Sequence, residues 1–384
     1  MSNGYAKVII VLLIENDVDL NEIVAELRKE PAIGVDLEAD SMFHYQEKIC
    51  LLQISTRAQN IVIDPLSVQD ISPLAPVFKD PQIRKIFHGA DYDIRSLYRD
   101  FGIEVNSLFD TQVAARFLGV RETGLASLLK VRFDVLSDKK YQKKDWSQRP
   151  LPEAMLKYAV QDICYLLPLA DMLERELKEK GLLFCVEEEC VQLSGVRPNS
   201  SRNRSFFLSF KGAAGLDPRS LAVLEKLLCL RDQVARRRDC PHFKVLGNKQ
   251  ILEIARIKPV TQTDLNGIQG LTPKLIDHMG KSLIKKVREG LSLPDKALPV
   301  YPKKARQRLR TKDASRVKAL KSWRERLSGE WGVDQAVVCT NAQIQAIAMA
   351  NPGEPEDIEC LKDLKKWQIQ LFGLDICNVL REIS

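Results

Sequence analysis

The apolar positions of the first ninety residues fall into short runs, not long stripes. Val8 to Ile14 is unbroken and has the length of a buried strand. Val18, Leu20, Ile23, Val24 and Leu27 then recur at helical spacing, which predicts a helix from Asp17 to about Arg28. In Ile33-Gly34-Val35-Asp36-Leu37-Glu38 the period changes to two, so Ile33, Val35 and Leu37 face one way and Asp36 and Glu38 the other. Ile49 to Ser55 and Asn60 to Asp64 are two further β-type runs. Their tight connections predict antiparallel neighbours, while the helical crossover between the first two strands allows a parallel pair. A helix-like segment around Leu74 to Phe78 leads to a fifth strand, Ile83 to Phe87. Five strands of mixed direction with helices around them predict an α/β domain. From Asp91 to about Leu183 the pattern is mostly helical, ending in a long amphipathic stretch from Glu153 to Lys180.

Gly195 to Lys211 carries Arg197, Arg202, Arg204 and Lys211 with several Ser and Asn and no acid, which marks a linker. Beyond it the chain is helical and repeats itself. A shift of 93 residues superimposes Arg231 on Arg324, Ile251 on Ile344, Ala255 on Ala348, Pro259 on Pro352, Asp264 on Asp357 and Leu271 on Leu364, without a gap. A register shared over that distance predicts two copies of one small helical domain. Between them, Lys296 to Lys312 holds seven basic residues and no acid, equal to the whole net charge of +7.

A chain of 384 residues suffices for two or three domains. No apolar run approaches the length of a membrane span, and the first run lacks the basic leader and cleavage site of a signal peptide. The nine cysteines are scattered and include no Cys-x-x-Cys pair. That usage predicts reduced thiols in a cytoplasm, with neither a zinc site nor a disulfide framework.

Three stretches can carry chemistry. Asp36 and Glu38 stand side by side on one face of a strand, an arrangement tolerable in solvent or, if buried, beside a neutralising cation. In Phe87-His88-Gly89-Ala90-Asp91-Tyr92-Asp93 a strand ends and a helix begins, so Asp91 or Asp93 sits near the strand's carboxyl end; Asp91 also suits a helix N-cap. Tyr158 and Asp162 are four apart on a helix and lie ~40° from each other on one face. Basic residues with aromatics among them (Lys139, Lys143 and Arg149 around Tyr141 and Trp146) can hold phosphates and stack on a base, or form a solvated loop. Arg236 and Arg237 belong to a charge cluster at a helix end. No Gly-rich phosphate loop is present, and no organic cofactor is called for.

In this order and with these neighbours, the set resembles the DEDD superfamily of 3′-to-5′ exonucleases, in the subclass with Tyr in its last motif, and within it the ribonuclease D family. Asp36-Leu37-Glu38 stands as motif one, His88 to Leu97 as motif two and Tyr158 to Asp162 as motif three. Phe109-Asp110-Thr111-Gln112 and Lys139, followed by Asp145 to Leu151, match as well. The helical repeats resemble the HRDC (helicase-and-RNase-D C-terminal) domain. The resemblance implies a ribonuclease H-like mixed sheet with helices over residues 1–190 and a linker over 191–212. Two small all-α HRDC-like domains would follow at 213–293 and 313–384, with a basic linker, 294–312, between them.

By the same resemblance Asp36, Glu38, Asp93 and Asp162 hold two divalent ions, Mg²⁺ or Mn²⁺, and Tyr158 orients the attacking water. The family's motif-two acid is the fifth residue after His, which selects Asp93 over Asp91 and leaves His88 a structural part. Two ions ~4 Å apart suit phosphodiester hydrolysis, one activating water and the other stabilising the leaving oxygen. Hard cations of this kind prefer carboxylate oxygens. RNA is the expected substrate, tRNA precursors foremost, with no membrane partner. Lys139, Lys143, Trp146, Arg149, Arg236, Arg237, Lys303, Lys304, Arg306, Arg308 and Arg310 are the candidate contacts to it. Two rival readings are a DNA exonuclease of the proofreading type and a catalytically silent nucleic-acid-binding protein.

Overall fold

Six strands form one mixed sheet at the centre of the first half of the chain. The computed structural model describes residues 11–136, 140–198, 205–302, 310–361 and 364–383, without the side chain of Asp162. The strands are β1 (Val11–Ile14), β2 (Ala32–Ala39), β3 (Ile49–Ser55), β4 (Asn60–Ile63), β5 (Arg84–Phe87) and β6 (Leu108–Asp110), in the order β1-β4-β3-β2-β5-β6. β3 is antiparallel to both β2 and β4, as the tight connections predict; β1 with β4, β2 with β5, and β5 with β6 are parallel pairs. Two details differ from expectation. β1 lies beside β4 and not beside β2, so the crossover does not join neighbours. β6 is an unexpected sixth strand, three residues long, inside a stretch whose pattern is mostly helical.

The helices are α1 (Asp17–Leu27), α2 (Ala75–Lys79), α3 (Asp91–Phe101), α4 (Thr111–Phe117), α5 (Leu125–Phe133), α6 (Glu153–Ile163), α7 (Leu166–Glu179) and α8 (Leu183–Ser194). The amphipathic stretch from Glu153 to Lys180 is thus two helices, broken at Cys164 and Tyr165. Ala90, not Asp91, is the N-cap of α3. Strand β3 is buried along its whole length. The nine cysteines are free. No helix among the described residues is long and apolar enough to cross a membrane.

The helical repeat is reproduced residue by residue. α9 (Pro218–Arg237), α10 (His242–Val245), α11 (Asn248–Ile257) and α12 (Pro273–Leu291) make the first copy. The second consists of α13 (Thr311–Trp331), α14 (Gln335–Val338), α15 (Asn341–Ala350), α16 (Pro355–Glu359) and α17 (Lys366–Arg381). Arg231 donates to the Leu246 carbonyl and Asn248 Oδ1; Arg324, 93 residues on, donates to the Cys339 carbonyl and Asn341 Oδ1. Asp264 accepts from the amides of Val260 and Thr261, and Asp357 from those of Gly353 and Glu354. Lys258 and Asn351 end α11 and α15 with left-handed backbones, φ 56° and 49°.

The chain divides into two compact units: Met1–Ala39, Ile49–Pro198 and Gln307–Ser384 form one, Asp40–Lys48 and Asn199–Arg306 the other. In the second unit Phe207 and Phe210, from the expected linker, are buried in the core of the first helical copy. In the first unit the second copy shares one continuous core with the α/β domain. Trp367 is buried edge-on against Phe117, centroids 5.2 Å apart. Glu188 of α8 accepts from the amides of Lys366 and Trp367 at 2.8 and 2.9 Å, capping α17 from outside, and Glu189 accepts from Trp367 Nε1 at 3.0 Å.

Candidate active site

Residues opposite each other on an antiparallel ladder place their side chains on the same face. Across β2 and β3, Gly34 faces Ser55, Asp36 faces Gln53 and Glu38 faces Leu51, with an irregularity just after Glu38. Ser55 Oγ donates to the Ile163 carbonyl at 2.9 Å. A Cβ on Gly34 would stand 2.3 Å from Ser55 Oγ and 3.1 Å from Leu166 Cβ. The end of α6 and the start of α7 therefore press onto the face that carries Asp36 and Glu38, and a glycine at 34 permits it. Asp162 directly precedes Ile163, which brings the backbone of motif three to the strand of motif one; its side chain lies outside the described residues.

β5 runs parallel beside β2, pairing Ile86 with Gly34. The chain turns through Gly89 at φ 74° and enters α3, whose first turn presents Asp93. Burial, then the neighbouring carboxylates of Asp36 and Asp110, push the Asp93 carboxyl well above the usual range. Asp91 faces elsewhere: its exposed carboxylate pairs with Arg95 at 2.9 Å, and that hydrogen bond holds it below the usual range. Of the two acids left open by the sequence pattern, Asp93 is the one brought to Asp36.

Two residues of this region carry weight that sequence reading did not assign. Asp110 is buried and caps α4 through the amides of Gln112 and Val113, while also accepting from the amides of Gly89 and Ala90 at 3.0 and 2.7 Å. One carboxylate thus ties the turn before Asp93 to the next helix. Its signal was an Asp directly before a helical segment. Gln53 is fully buried opposite Asp36, and among the described residues its amide nitrogen and oxygen have no hydrogen-bond partner. A Gln inside an apolar strand was the visible sign. His88 plays the structural part expected: Nδ1 bonds Thr111 Oγ1 at 2.9 Å, Thr111 donates to the Phe87 carbonyl, and burial holds the imidazole below its ordinary pKa.

Repelling carboxylates and an unpartnered buried amide beside them fit a hard divalent cation with its water shell. Among the described residues no three His, Cys, Asp or Glu side chains form a ready metal cluster, the fourth acid's side chain being outside that set.

Tyr158 is buried on α6 between Tyr141 and Trp146, ring centroids 5.5 and 6.0 Å away. Trp146 is fully buried, which corrects the expectation that it stacks on a base: closed off from solvent, it supports Tyr158 instead. Arg149 is corrected likewise. Its guanidinium forks onto Asp64, 2.6 Å at both oxygens, and donates to the carbonyls of Cys50 and Trp146. Burial opposes the Asp64 charge, but the fork holds its carboxyl below the usual range. Arg236 lies over the Tyr45 ring at 5.3 Å and pairs with Asp232, while Arg237, Lys143 and Arg310 are exposed. Lys139, Lys303, Lys304, Arg306 and Arg308 lie outside the described residues.

Residues 11–178 match the 3′-5′ exonuclease family, and residues 220–287 and 313–380 each match the HRDC domain. The chain belongs to the 3′-5′ exonucleases and carries two HRDC domains after its nuclease domain. Within that class it is similar over its full length to ribonuclease D. The Pseudomonas paraeruginosa protein is 27% identical over 96% of both chains. The crystal structure of Escherichia coli RNase D, an exoribonuclease involved in structured RNA processing, superposes with a TM-score of 0.71 at 27% identity, covering 97% of this chain and 99% of that one. Protein RRP6-like 2 of Arabidopsis thaliana is 35% identical over 71% of this chain, which spans only 33% of that longer relative. Exonucleases of this family depend on divalent metal ions.

Proposed function

We propose that the protein is a 3′-to-5′ exoribonuclease that trims single-stranded RNA 3′ ends, tRNA precursors among them, and releases 5′-mononucleotides in the cytoplasm. The observation that carries this reading is the convergence of Asp36 and Asp93 on the sheet face roofed by α6, close enough that one carboxylate raises the pKa of the other. Similarity to ribonuclease D and the RRP6 proteins supports RNA over DNA. We take the domain limits as 1–190, 213–293 and 313–384, with the segment before the first helical copy lending Phe207 and Phe210 to its core.

Asp36, Glu38, Asp93 and Asp162 would hold two divalent ions, Mg²⁺ or Mn²⁺. Such ions generate a nucleophile from water at neutral pH and stabilise charge on a leaving oxygen. The remaining work falls to the chain. Tyr158, its ring fixed by Trp146 and Tyr141, directs its hydroxyl to the attacking water. Asp110 holds the turn that aims Asp93. Gln53 offers an amide to whatever Asp36 binds.

The test uses 5′-labelled RNA and DNA of one sequence, incubated with chelator, Mg²⁺ or Mn²⁺. We expect a ladder shortened from the 3′ end of RNA, dependent on metal. Asp93→Ala should abolish it, and Asp91→Ala should keep turnover within about tenfold (~1.4 kcal/mol on the barrier). A dead Asp91→Ala with an active Asp93→Ala would overturn the placement of motif two.

A further inference from the structure

A buried amide side chain is costly unless both of its ends are hydrogen-bonded. Among the described residues three glutamines are buried: Gln53, Gln343 and Gln368. The two in the second helical copy are served by the protein. Gln343 Nε2 donates to Gln368 Oε1 at 2.9 Å, and Gln343 Oε1 accepts from the Thr340 amide at 2.7 Å. Gln368 Nε2 in turn donates to the Val338 carbonyl at 2.8 Å. Gln53 on β3 is the exception. It is 0% exposed, and among the described residues neither Nε2 nor Oε1 has a partner. Packing alone would favour an apolar side chain there, as at most other positions of this buried strand.

The place of Gln53 shows what its amide serves. On the face roofed by α6, β3 sets Leu51, Gln53 and Ser55 opposite Glu38, Asp36 and Gly34 of β2. Ser55 uses its hydroxyl on the Ile163 carbonyl, and on its other side Gln53 faces the buried Val62 of β4. Gln53 is therefore the neutral polar side chain that β3 holds against the acids with both polar atoms uncommitted. Directly opposed residues of such a ladder have Cβ atoms ~5 Å apart. Glutamine is one methylene longer than aspartate, so its amide can reach beyond the Asp36 carboxyl group. A hard cation such as Mg²⁺ keeps several of its waters, and each bound water has two protons to donate. The carboxylates that hold the ion direct their oxygens at it, so acceptors for those protons must come from elsewhere. A further carboxylate would add charge to a face where Asp36 and Asp110 already stand close to Asp93. A neutral amide oxygen accepts without adding charge.

We propose that Gln53 is a positioning residue of the nuclease site, whose Oε1 accepts a hydrogen bond from a water in the shell of the divalent ion on Asp36. It rests on the reading of Asp36 as a metal ligand and deepens it. Gln53 acts through that water and touches neither the RNA nor the reacting atoms. Loss of an outer partner of this kind lowers metal affinity by ~10–100-fold. Without metal the buried amide has nothing to offset its lost hydration, so an apolar side chain of the same length should make the protein more stable. A purely structural glutamine would give the opposite sign.

The experiment compares the full chain with Gln53→Met, which keeps the length of the side chain, and Gln53→Glu, which keeps the acceptor oxygen. Melting temperature is read in chelator, and Mg²⁺ affinity by calorimetric titration without RNA. Gln53→Met should melt about 2–6 °C higher than the parent in chelator and bind Mg²⁺ at least ~10-fold more weakly. Gln53→Glu should melt lower in chelator, through repulsion from the neighbouring acids, yet bind Mg²⁺ at least as tightly as the parent. A Gln53→Met protein that melts lower or fails to fold makes Gln53 a packing residue and overturns the assignment. So does a Mg²⁺ affinity of Gln53→Met within twofold of the parent, or a Gln53→Glu that binds Mg²⁺ as weakly as Gln53→Met. Metal-dependent cleavage of RNA by the unmodified protein is followed separately. Cleavage with unchanged Mg²⁺ affinity in Gln53→Met refutes the role of Gln53 alone, whereas an unmodified protein that neither binds Mg²⁺ nor cleaves RNA refutes the function on which it rests.

Discussion

Asp110→Asn separates the support of the candidate site from its acids. Asp110 Oδ1 accepts from the amides of Gly89, Gln112 and Val113 at 3.0, 2.8 and 3.2 Å, and Oδ2 from the amide of Ala90 at 2.7 Å. The carboxylate is 1% exposed, so water cannot replace it. Asparagine keeps one oxygen for the first three donors but sets its NH₂ against the Ala90 N–H. One buried amide left without an acceptor costs about 1–3 kcal/mol. Exchanging an ionised acceptor for a neutral one weakens the other bonds by roughly 1–2 kcal/mol in sum. Removing a charge beside Asp93 gives part of this back, because Asp110 is one of the groups that raise the Asp93 pKa. The net loss should be about 2–4 kcal/mol, or roughly 5–15 °C in melting temperature for a unit of this size. The freed turn also lets Asp93 drift, and a misplacement of ~1 Å can cost ~10²-fold in turnover. Calorimetry and single-turnover cleavage at saturating metal read the two effects separately. Melting within 2 °C of the parent (about 1 kcal/mol or less) together with turnover within about twofold would refute the assigned role.

Three further outcomes follow from the geometry. Tyr158→Phe should lower turnover by roughly 10²-fold while metal affinity, read by calorimetric titration, barely changes; unaltered turnover at saturating RNA would remove Tyr158 from the mechanism. Gly34→Ala places a methyl 2.3 Å from Ser55 Oγ and should destabilise by about 1–3 kcal/mol. Adding Ser55→Ala should recover part of that loss, and no recovery would mean that Leu166 is the true obstacle. Trp367→Ala should cost about 3–5 kcal/mol and Glu188→Ala about 0.5–2 kcal/mol in urea unfolding. Parent-like stability in both would mean that the second helical copy does not dock through α17.

How much of this was legible in the sequence depended on whether a feature was local. The period-two runs located β2 and β3 because their side-chain alternation and length are intrinsic to the strand. β6 escaped because Leu108-Phe109-Asp110 is too short to show any period. The pairing of β1 with β4 depends on how the whole sheet closes, which no local pattern carries. Asp36 and Glu38 showed as neighbours on one strand face. The choice of Asp93 over Asp91 came from the resemblance, whose second motif places its acid five residues after His, so both could be located before the fold was known. Gln53 and Asp110 could not be assigned in that way, since their importance lies in what stands opposite: Asp36 across a ladder, and two amides twenty residues upstream. Trp146 and Arg149 mislead for the same reason. A loop rich in lysine and aromatics has the composition of a nucleic-acid contact, yet here the aromatic ring and the guanidinium turn inward to Tyr158 and Asp64.

The repeat shows where two copies of one fold are free to diverge. Their shared side-chain bonds, Arg231 and Arg324 to the start of the next helix and Asp264 and Asp357 to their turns, fix the helix packing and so could not drift apart. The surfaces could, and each drifted according to what it meets. In the first copy Thr272 caps its own helix α12, which leaves the front of that helix complete without a neighbour. In the second copy the equivalent position is Lys365, and the donors at the front of α17 are satisfied by Glu188 of the nuclease domain. Trp367 replaces Lys274 there, and a buried indole needs an acceptor for its N–H, which Glu189 provides. A helix front that takes its cap from another domain suits a docked position, because undocking exposes both a tryptophan and a row of unpaired amides. That dependence explains why the front of α17 presents a tryptophan to the nuclease domain, whereas the equivalent position of the self-capped α12 is a lysine.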